Sequence, residues 1–263
     1  MKERIAWIGG NHRRHLYYIN NIAENLGLVG GIVQERESMM PMPPMDTRVY
    51  DLKNWARHFG ARDIAEEIYF GEQKEPDIDL LRVDEATLNE LESAEFMRKL
   101  KPDIVLIFGS GMIREPLLSA LPKDTINLHL GISPRYRGAA TLFWPFYFLE
   151  PNWAGTTFHY IQHSPDSGDI IHQVVPIMER GDGIHNIACK AVVESTLEAI
   201  ALLNRYPKWD RFKQKPEAGK NFLASDFRPQ HLRVIYSEFD NKMVDAYLSG
   251  ELKPREPVLK RQF

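Results

Sequence analysis

Ile104-Val105-Leu106-Ile107-Phe108 is an unbroken apolar run ended at once by Gly109-Ser110-Gly111. Five consecutive apolar residues with no polar alternation are what a strand covered on both faces requires. Working outward from it, Ile5 to Ile8 is a second such segment, ending at Gly9-Gly10-Asn11. Residues 13–26 carry apolar side chains at Leu16, Ile19, Ile22, Ala23 and Leu26, a helical spacing closed by Gly27. A strand is expected over Leu28 to Val33, and helices at about 49–70 and 85–100. The proline-broken Met39-Met40-Pro41-Met42-Pro43-Pro44-Met45 can only be a loop. A further strand leads into Asn127-Leu128-His129. Strands alternating with helices define a doubly wound α/β core with a mostly parallel sheet.

From about residue 154 the rhythm changes. Thr156 to Gln162 and Asp169 to Met178 read as strands joined by the turn Ser164-Pro165-Asp166-Ser167-Gly168, and a long helix is expected from Gly183 to about Arg205. Beyond it, residues 207–263 hold 12 Lys/Arg and 8 Asp/Glu, a net charge of +4, which leaves -7 of the total of -3 on residues 1–206. The expected organisation is therefore a core over 1–206 and a small C-terminal appendage over 207–263. That basic appendage is a candidate surface for homodimer formation.

Composition excludes several classes. A net charge of -3 over 263 residues does not suit a protein that grips nucleic acid through its phosphates. No apolar run reaches the roughly 20 residues that a membrane helix needs. The single cysteine, Cys189, can form no internal disulfide and is too few for a thiolate zinc cage. The first residues lack a signal-peptide pattern, so a cytoplasmic protein is expected.

The most informative stretch for chemistry is Asn127-Leu128-His129-Leu130-Gly131-Ile132-Ser133-Pro134-Arg135-Tyr136-Arg137-Gly138. On a strand, Asn127 and His129 share one face. Spacing alone still favours a capping Asn and a structural His. The balance changes with Asp166-Ser167-Gly168-Asp169-Ile170-Ile171, 37 positions after His129. His159, His163 and His172 have no carboxylate or thiolate at ligand spacing and read as half-buried histidines, with no metal expected. Gly9-Gly10-Asn11 is not a full dinucleotide fingerprint, which argues against a nicotinamide enzyme. The helix start at His12-Arg13-Arg14 fits either a phosphate contact or a solvated basic turn. The aromatic cluster Phe143, Trp144, Phe146, Tyr147 and Phe148 reads as a packed helix face.

Together, Asn-Leu-His, Ser-Pro-Arg-Tyr-Arg-Gly and Asp-Ser-Gly-Asp-Ile resemble the 10-formyltetrahydrofolate-dependent formyltransferase family, over most of the chain from Ile5 to about Arg205. The resemblance implies a Rossmann-like core and a catalytic trio, which falls here on Asn127, His129 and Asp166. Such a trio suits attack of an amine on a formyl carbon. Asn127 and His129 would donate hydrogen bonds to the developing oxyanion, His129 would move the amine proton, and Asp166 would orient the imidazole or accept a proton through water. The family also implies that the pterin of 10-formyltetrahydrofolate lies against Phe108, Gly109, Ser110, Gly111 and Met112. His163, Ser164 and Pro165 would flank its other side. Gly10, Asn11, Arg135 and Arg137 are the candidate acceptor contacts, and no metal is implied. Two departures stand out where the family's Pro-Ser-Leu-Leu is here Leu130-Gly131-Ile132-Ser133: a polar Ser133 precedes the proline, and the common serine has become Gly131.

Architecture among family branches favours the nucleotide-sugar N-formyltransferases, which carry a core of this size and a short C-terminal element. The expected acceptor is the amino group of a nucleotide-linked amino sugar, for a surface polysaccharide. Another small-molecule amine and methionyl-tRNA are the alternatives within the family. A folate- or nucleotide-sugar-binding protein without activity is the alternative outside catalysis.

Overall fold

The computed structural model describes residues 3–162 and 164–263. Its strands are β1 (Ile5–Gly10), β2 (Gly30–Gln34), β3 (Leu80–Val83), β4 (Ile104–Phe108), β5 (Thr125–His129), β6 (Tyr136–Gly138), β7 (Thr156–Tyr160), β8 (Ile170–Val174) and β9 (Lys220–Phe222). The helices are α1 (Arg13–Leu26), α2 (Val49–Phe70), α3 (Leu91–Leu100), α4 (Trp144–Tyr147), α5 (Ile184–Leu203) and α6 (Met243–Leu248). Seven strands form one sheet in the order β3-β2-β1-β4-β5-β7-β8, parallel from β3 to β5 and antiparallel from β5 to β8. The fold is thus α/β with a mostly parallel, Rossmann-like sheet.

The apolar strands face both ways, as their lack of alternation requires. Ile5, Trp7, Ile104, Leu106 and Phe108 pack with Leu16, Ile19 and Ile22 of α1 and with Val192, Ala199 and Leu202 of α5. Their neighbours Ala6, Ile8, Val105 and Ile107 point the other way, onto Met97 and Leu100 of α3. On β5, Ile126 and Leu128 belong to the first of these layers, so Asn127 and His129 face the second, in the row of Ile107.

Two expectations over the first hundred residues need correction. The edge strand β3 was not foreseen, and α3 starts at Leu91 rather than near 85. Asp84 and Thr87 bond to each other through backbone and side chain, and this local turn holds the chain out of the helix until Glu90.

Residues 207–263 run along the core and share its packing. Phe222, Leu232, Ile235, Tyr236, Met243 and Val244 are buried with Trp55 and Phe59 of α2, Phe143 and Trp144, and Ile184 and Ile187 of α5. β9 pairs with β6, Phe212 exchanges two backbone hydrogen bonds with Ile170, and Gln173 N–H donates to the Lys260 carbonyl at 2.8 Å. Among the described residues, no helix is long and apolar enough to cross a membrane.

Candidate active site

A cavity of about 1050 Å³ opens along the C-terminal ends of the parallel strands, the position at which open α/β sheets take ligands. Asn127, His129 and Asp166 line it together, with the loop Phe108, Gly109, Ser110, Gly111 and Met112 and with Ser164 and Pro165. His163 lies outside the described residues. Gly10, Asn11, Arg135 and Arg137 are not among the lining residues. Asn11 accepts a hydrogen bond from the Arg36 backbone N–H, and Arg135 forms a two-point pair with Glu150. Arg137 Nη1 stands 3.4 Å from the Pro165 carbonyl, beside the site but outside its lining.

The trio is held by pairing of β5 with β7. His159 lies directly opposite Asn127 in that antiparallel ladder, so the two side chains share a face. Asn127 Nδ2 donates to His159 Nε2 at 3.1 Å and stands 3.5 Å from Asp166 Oδ1, the outer limit of a hydrogen bond. His159 Nδ1 donates to the Tyr160 carbonyl at 2.9 Å, which leaves Nε2 as the acceptor for Asn127. Asp166 Oδ1 lies 3.3 Å from His159 Nε2 and Oδ2 lies 3.4 Å from His129 Nδ1. The Gly138 backbone N–H donates to Asp166 Oδ2 at 2.9 Å. His159 is only 2% exposed and sits inside the cluster rather than half-buried. It is the residue that reading single strands misses. The usable clue is that a His two residues inside an antiparallel partner strand falls opposite the Asn-x-His pair.

His129 Nε2 bonds to the Tyr136 carbonyl at 2.9 Å, and since a carbonyl only accepts, Nε2 carries a proton. The space for this bond exists because residue 131 is glycine. A Cβ at Gly131 would come 2.6 Å from His129 Nε2 and 2.6 Å from the Tyr136 oxygen. The departure at Gly131 therefore has a local reason.

Electrostatics divide the cluster. Burial lowers the His129 pKa below the usual imidazole value and outweighs the opposing pull of Asp166. Burial works to raise the Asp166 carboxyl, yet the neighbouring His129 and His159 and the Gly138 N–H hold it well below the ordinary carboxylate range. At neutral pH the pair is a neutral imidazole beside a carboxylate, with the unprotonated Nδ1 turned toward Asp166.

Asp166 adopts a left-handed backbone conformation, φ 46°, and Gly168 packs so tightly that a Cβ would lie 1.8 Å from the Tyr160 carbonyl. That turn aims the carboxylate back over β5. Gly109, at φ 75°, lets the β4 loop pass beside the His15 ring, and Gly111 N–H donates to Gln34 Oε1 at 2.6 Å. The two loops present backbone on both sides of the cavity, whose volume stands at the upper end of the about 300–1,000 Å³ usual for small-molecule pockets. The size suits a flat heterocycle together with a second reactant. Among the described residues, no group of three or more His, Cys, Asp or Glu is disposed to hold a metal ion.

With this sheet order and this cluster at the strand ends, the molecule has the architecture of an open, mostly parallel α/β protein with a polar site in its strand-end cavity. The formyl transferase family matches residues 59–196, just over half of the sequence, and the chain belongs to that family. The chain is 30% identical to the methionyl-tRNA formyltransferase of Syntrophus aciditrophicus (strain SB) over 116 residues, 43% of this chain and 37% of that protein. The Clostridium tetani (strain Massachusetts / E88) methionyl-tRNA formyltransferase is 35% identical over 81 residues, 30% of this chain and 26% of that one. The chain thus spans about a third or less of the length of the curated relatives it matches. Among solved structures, the N-formyltransferase of Helicobacter canadensis, in complex with folinic acid and dTDP-3-aminofucose, superposes with a TM-score of 0.54 at 16% identity, covering 89% of this chain and 81% of that one. The phosphoribosylglycinamide formyltransferase of Anaplasma phagocytophilum gives 0.53 at 16% identity, over 75% and 82%. At such identities the likeness is one of fold.

Proposed function

We propose that the protein is an N-formyltransferase that moves a formyl group from 10-formyltetrahydrofolate to the amino group of a nucleotide-linked amino sugar, in the cytoplasm. The observation that carries this reading is the convergence of Asn127, His129 and Asp166 in one cavity beside the Phe108–Met112 loop. That loop and Ser164-Pro165 would hold the folate. Bound there, 10-formyltetrahydrofolate would supply an activated formyl carbon for an acceptor amine.

The protein's own part follows from its hydrogen bonds. One hydrogen of the Asn127 amide is committed to His159, while the other reaches Asp166 only at 3.5 Å and is free to turn toward a formyl oxygen. Losing such a donor typically costs about 100- to 1000-fold in rate. His129 Nε2 is held by the Tyr136 carbonyl, so Nδ1 is the atom that takes the amine proton, and Asp166 stabilises the imidazolium that results. The sugar acceptor draws support from the Helicobacter canadensis protein, whose complex holds an amino sugar nucleotide. The curated relatives support methionyl-tRNA as a second acceptor to be tried.

The test is tetrahydrofolate release from 10-formyltetrahydrofolate by the full chain, with a panel of nucleotide-linked amino sugars, other small amines and methionyl-tRNA. Release accelerated by an amino sugar nucleotide, and lowered about 100-fold or more in Asn127→Ala and His129→Ala, is the expected result. No acceleration by any amine, with the variants equal to the parent, would sink the reading.

A further inference from the structure

The same cavity has a second set of charged side chains that the trio does not use. Arg14 and Arg62 line it beside Glu66, with His58 and His185. Arg14 pairs with Glu66 Oε1, and the Glu66 side chain is only 4% exposed, yet its Oε2 has no hydrogen-bond partner. Arg62 donates through Nη2 to the Met39 carbonyl and lies over the Phe59 ring at 4.8 Å. Its buried Nε has no hydrogen-bond partner, and among the described residues no carboxylate forms an ion pair with it. Glu66, Glu37 and Asp63 act on this half-buried guanidinium only through space, an expensive arrangement unless something else supplies a contacting negative charge.

The neighbours leave that role open. His58 and His185 share the Tyr236 hydroxyl, at 3.0 and 3.4 Å, and burial keeps both imidazoles neutral at pH 7. They add hydrogen-bonding groups without charge. Arg13, by contrast, turns away to Asp63, and His12 bonds to the Glu37 carbonyl, so the helix start is not where the free donors lie. Arg14 follows β1 while Asn127 stands on β5, and β4 lies between them.

We infer that Arg62, with Arg14, forms an oxyanion-binding subsite that anchors a phosphoryl or carboxylate group of the acceptor within the cavity that holds the trio. The Arg62 guanidinium, which lines the cavity, is the donor group that the anion takes up. In linking the anion to the acceptor, the inference rests on the proposed formyl transfer. The subsite itself does not.

Calorimetric titration of the full chain with pyrophosphate, and separately with malonate, in the absence of folate, tests the subsite. Saturable binding of either anion that weakens about tenfold or more in Arg62→Gln, and by less in Arg62→Lys, is expected. Whichever anion is preferred tells a phosphoryl from a carboxylate source. Binding of 5-formyltetrahydrofolate should be unchanged in both variants, which also verifies that they are folded. Absence of saturable binding by both anions, or equal affinity in Arg62→Gln, would overturn the inference. Anion binding through Arg62 in a protein that transfers no formyl group would leave the subsite standing and remove only the formyl-transfer reading.

Discussion

Gly131→Ala isolates the contact on which the orientation of His129 depends. The glycine does not sit in the left-handed backbone region, so space alone forbids a side chain there. The added Cβ would meet His129 Nε2 at 2.6 Å, the Tyr136 oxygen at 2.6 Å and Thr141 Cβ at 2.7 Å, whereas ordinary contact begins at 3.4 Å. Relief requires a shift of about 0.8 Å shared among these groups, and two of them are the partners of the 2.9 Å bond that fixes the imidazole. Overpacking of this kind costs about 1–3 kcal/mol. For a chain of this size each kcal/mol lowers Tm by about 2–4 °C. A misplacement near 1 Å in a catalytic group costs about 100-fold in rate. The assays are a thermal melt and tetrahydrofolate release per folded molecule. Gly60→Ala serves as the control, since a Cβ there meets nothing within 4 Å and α2 gains a better helix former, by up to about 1 kcal/mol. Gly131→Ala with a normal Tm and normal turnover would refute the reasoning. A lower Tm with turnover unchanged would make the His129–Tyr136 bond structural only.

Two further predictions concern titration and positioning. His185 is pushed down to about 3 by burial and by the Arg62 charge, so the unfolded chain binds a proton there more readily than the folded one. Its contribution to stability is present above about pH 6.5 and is lost as pH falls toward the folded value, amounting to about 2 kcal/mol by pH 5. Asp166, depressed in the folded state, adds a second loss below about pH 4. Urea midpoints that stay constant from pH 7.5 to 5 would contradict the first window, and His185→Gln should reduce the slope, the depressed His58 and His129 supplying the remainder. For His159, replacement by Phe removes the acceptor that orients the Asn127 amide; kcat should fall about 10- to 100-fold with KM little changed, and an unaltered kcat would show that Asn127 orients itself.

Much of the fold was legible because its strands are apolar on both faces. Ile104 to Phe108 and Ile5 to Ile8 can be nothing but interior strands, α1 matches the periodicity and the closing Gly27, and α2 matches the helix expected at about 49–70. β3 was not legible, because Leu80-Leu81-Arg82-Val83 is a short edge strand of which Val83 alone is fully buried. At the site, Asn127 and His129 could be read from period two within one strand. His159 could not, since its place depends on which strand pairs with β5 and in what register. The charge pattern at residues 12–14 suggested a helix-start contact, but Arg13 and Arg14 diverge once helical geometry sends them toward Asp63 and Glu66. The subsite at Arg62 depends on α2 crossing α1 and α5, which no local pattern discloses.

The lacing of the C-terminal segment onto β8 bears on solubility. An outer strand with free N–H and C=O groups is a template for pairing with another chain. Here Phe212 caps Ile170 from the outside, and Gln262 and Lys260 occupy His172, Ile171 and Gln173 in turn. β8 carries five consecutive buried residues, so uncovering it would expose a flat strand ready to recruit a second molecule edge to edge. The end of the chain thus does the work of an edge guard, and removal of Lys260 to Phe263 alone should show first as concentration-dependent aggregation rather than as a damaged catalytic cluster.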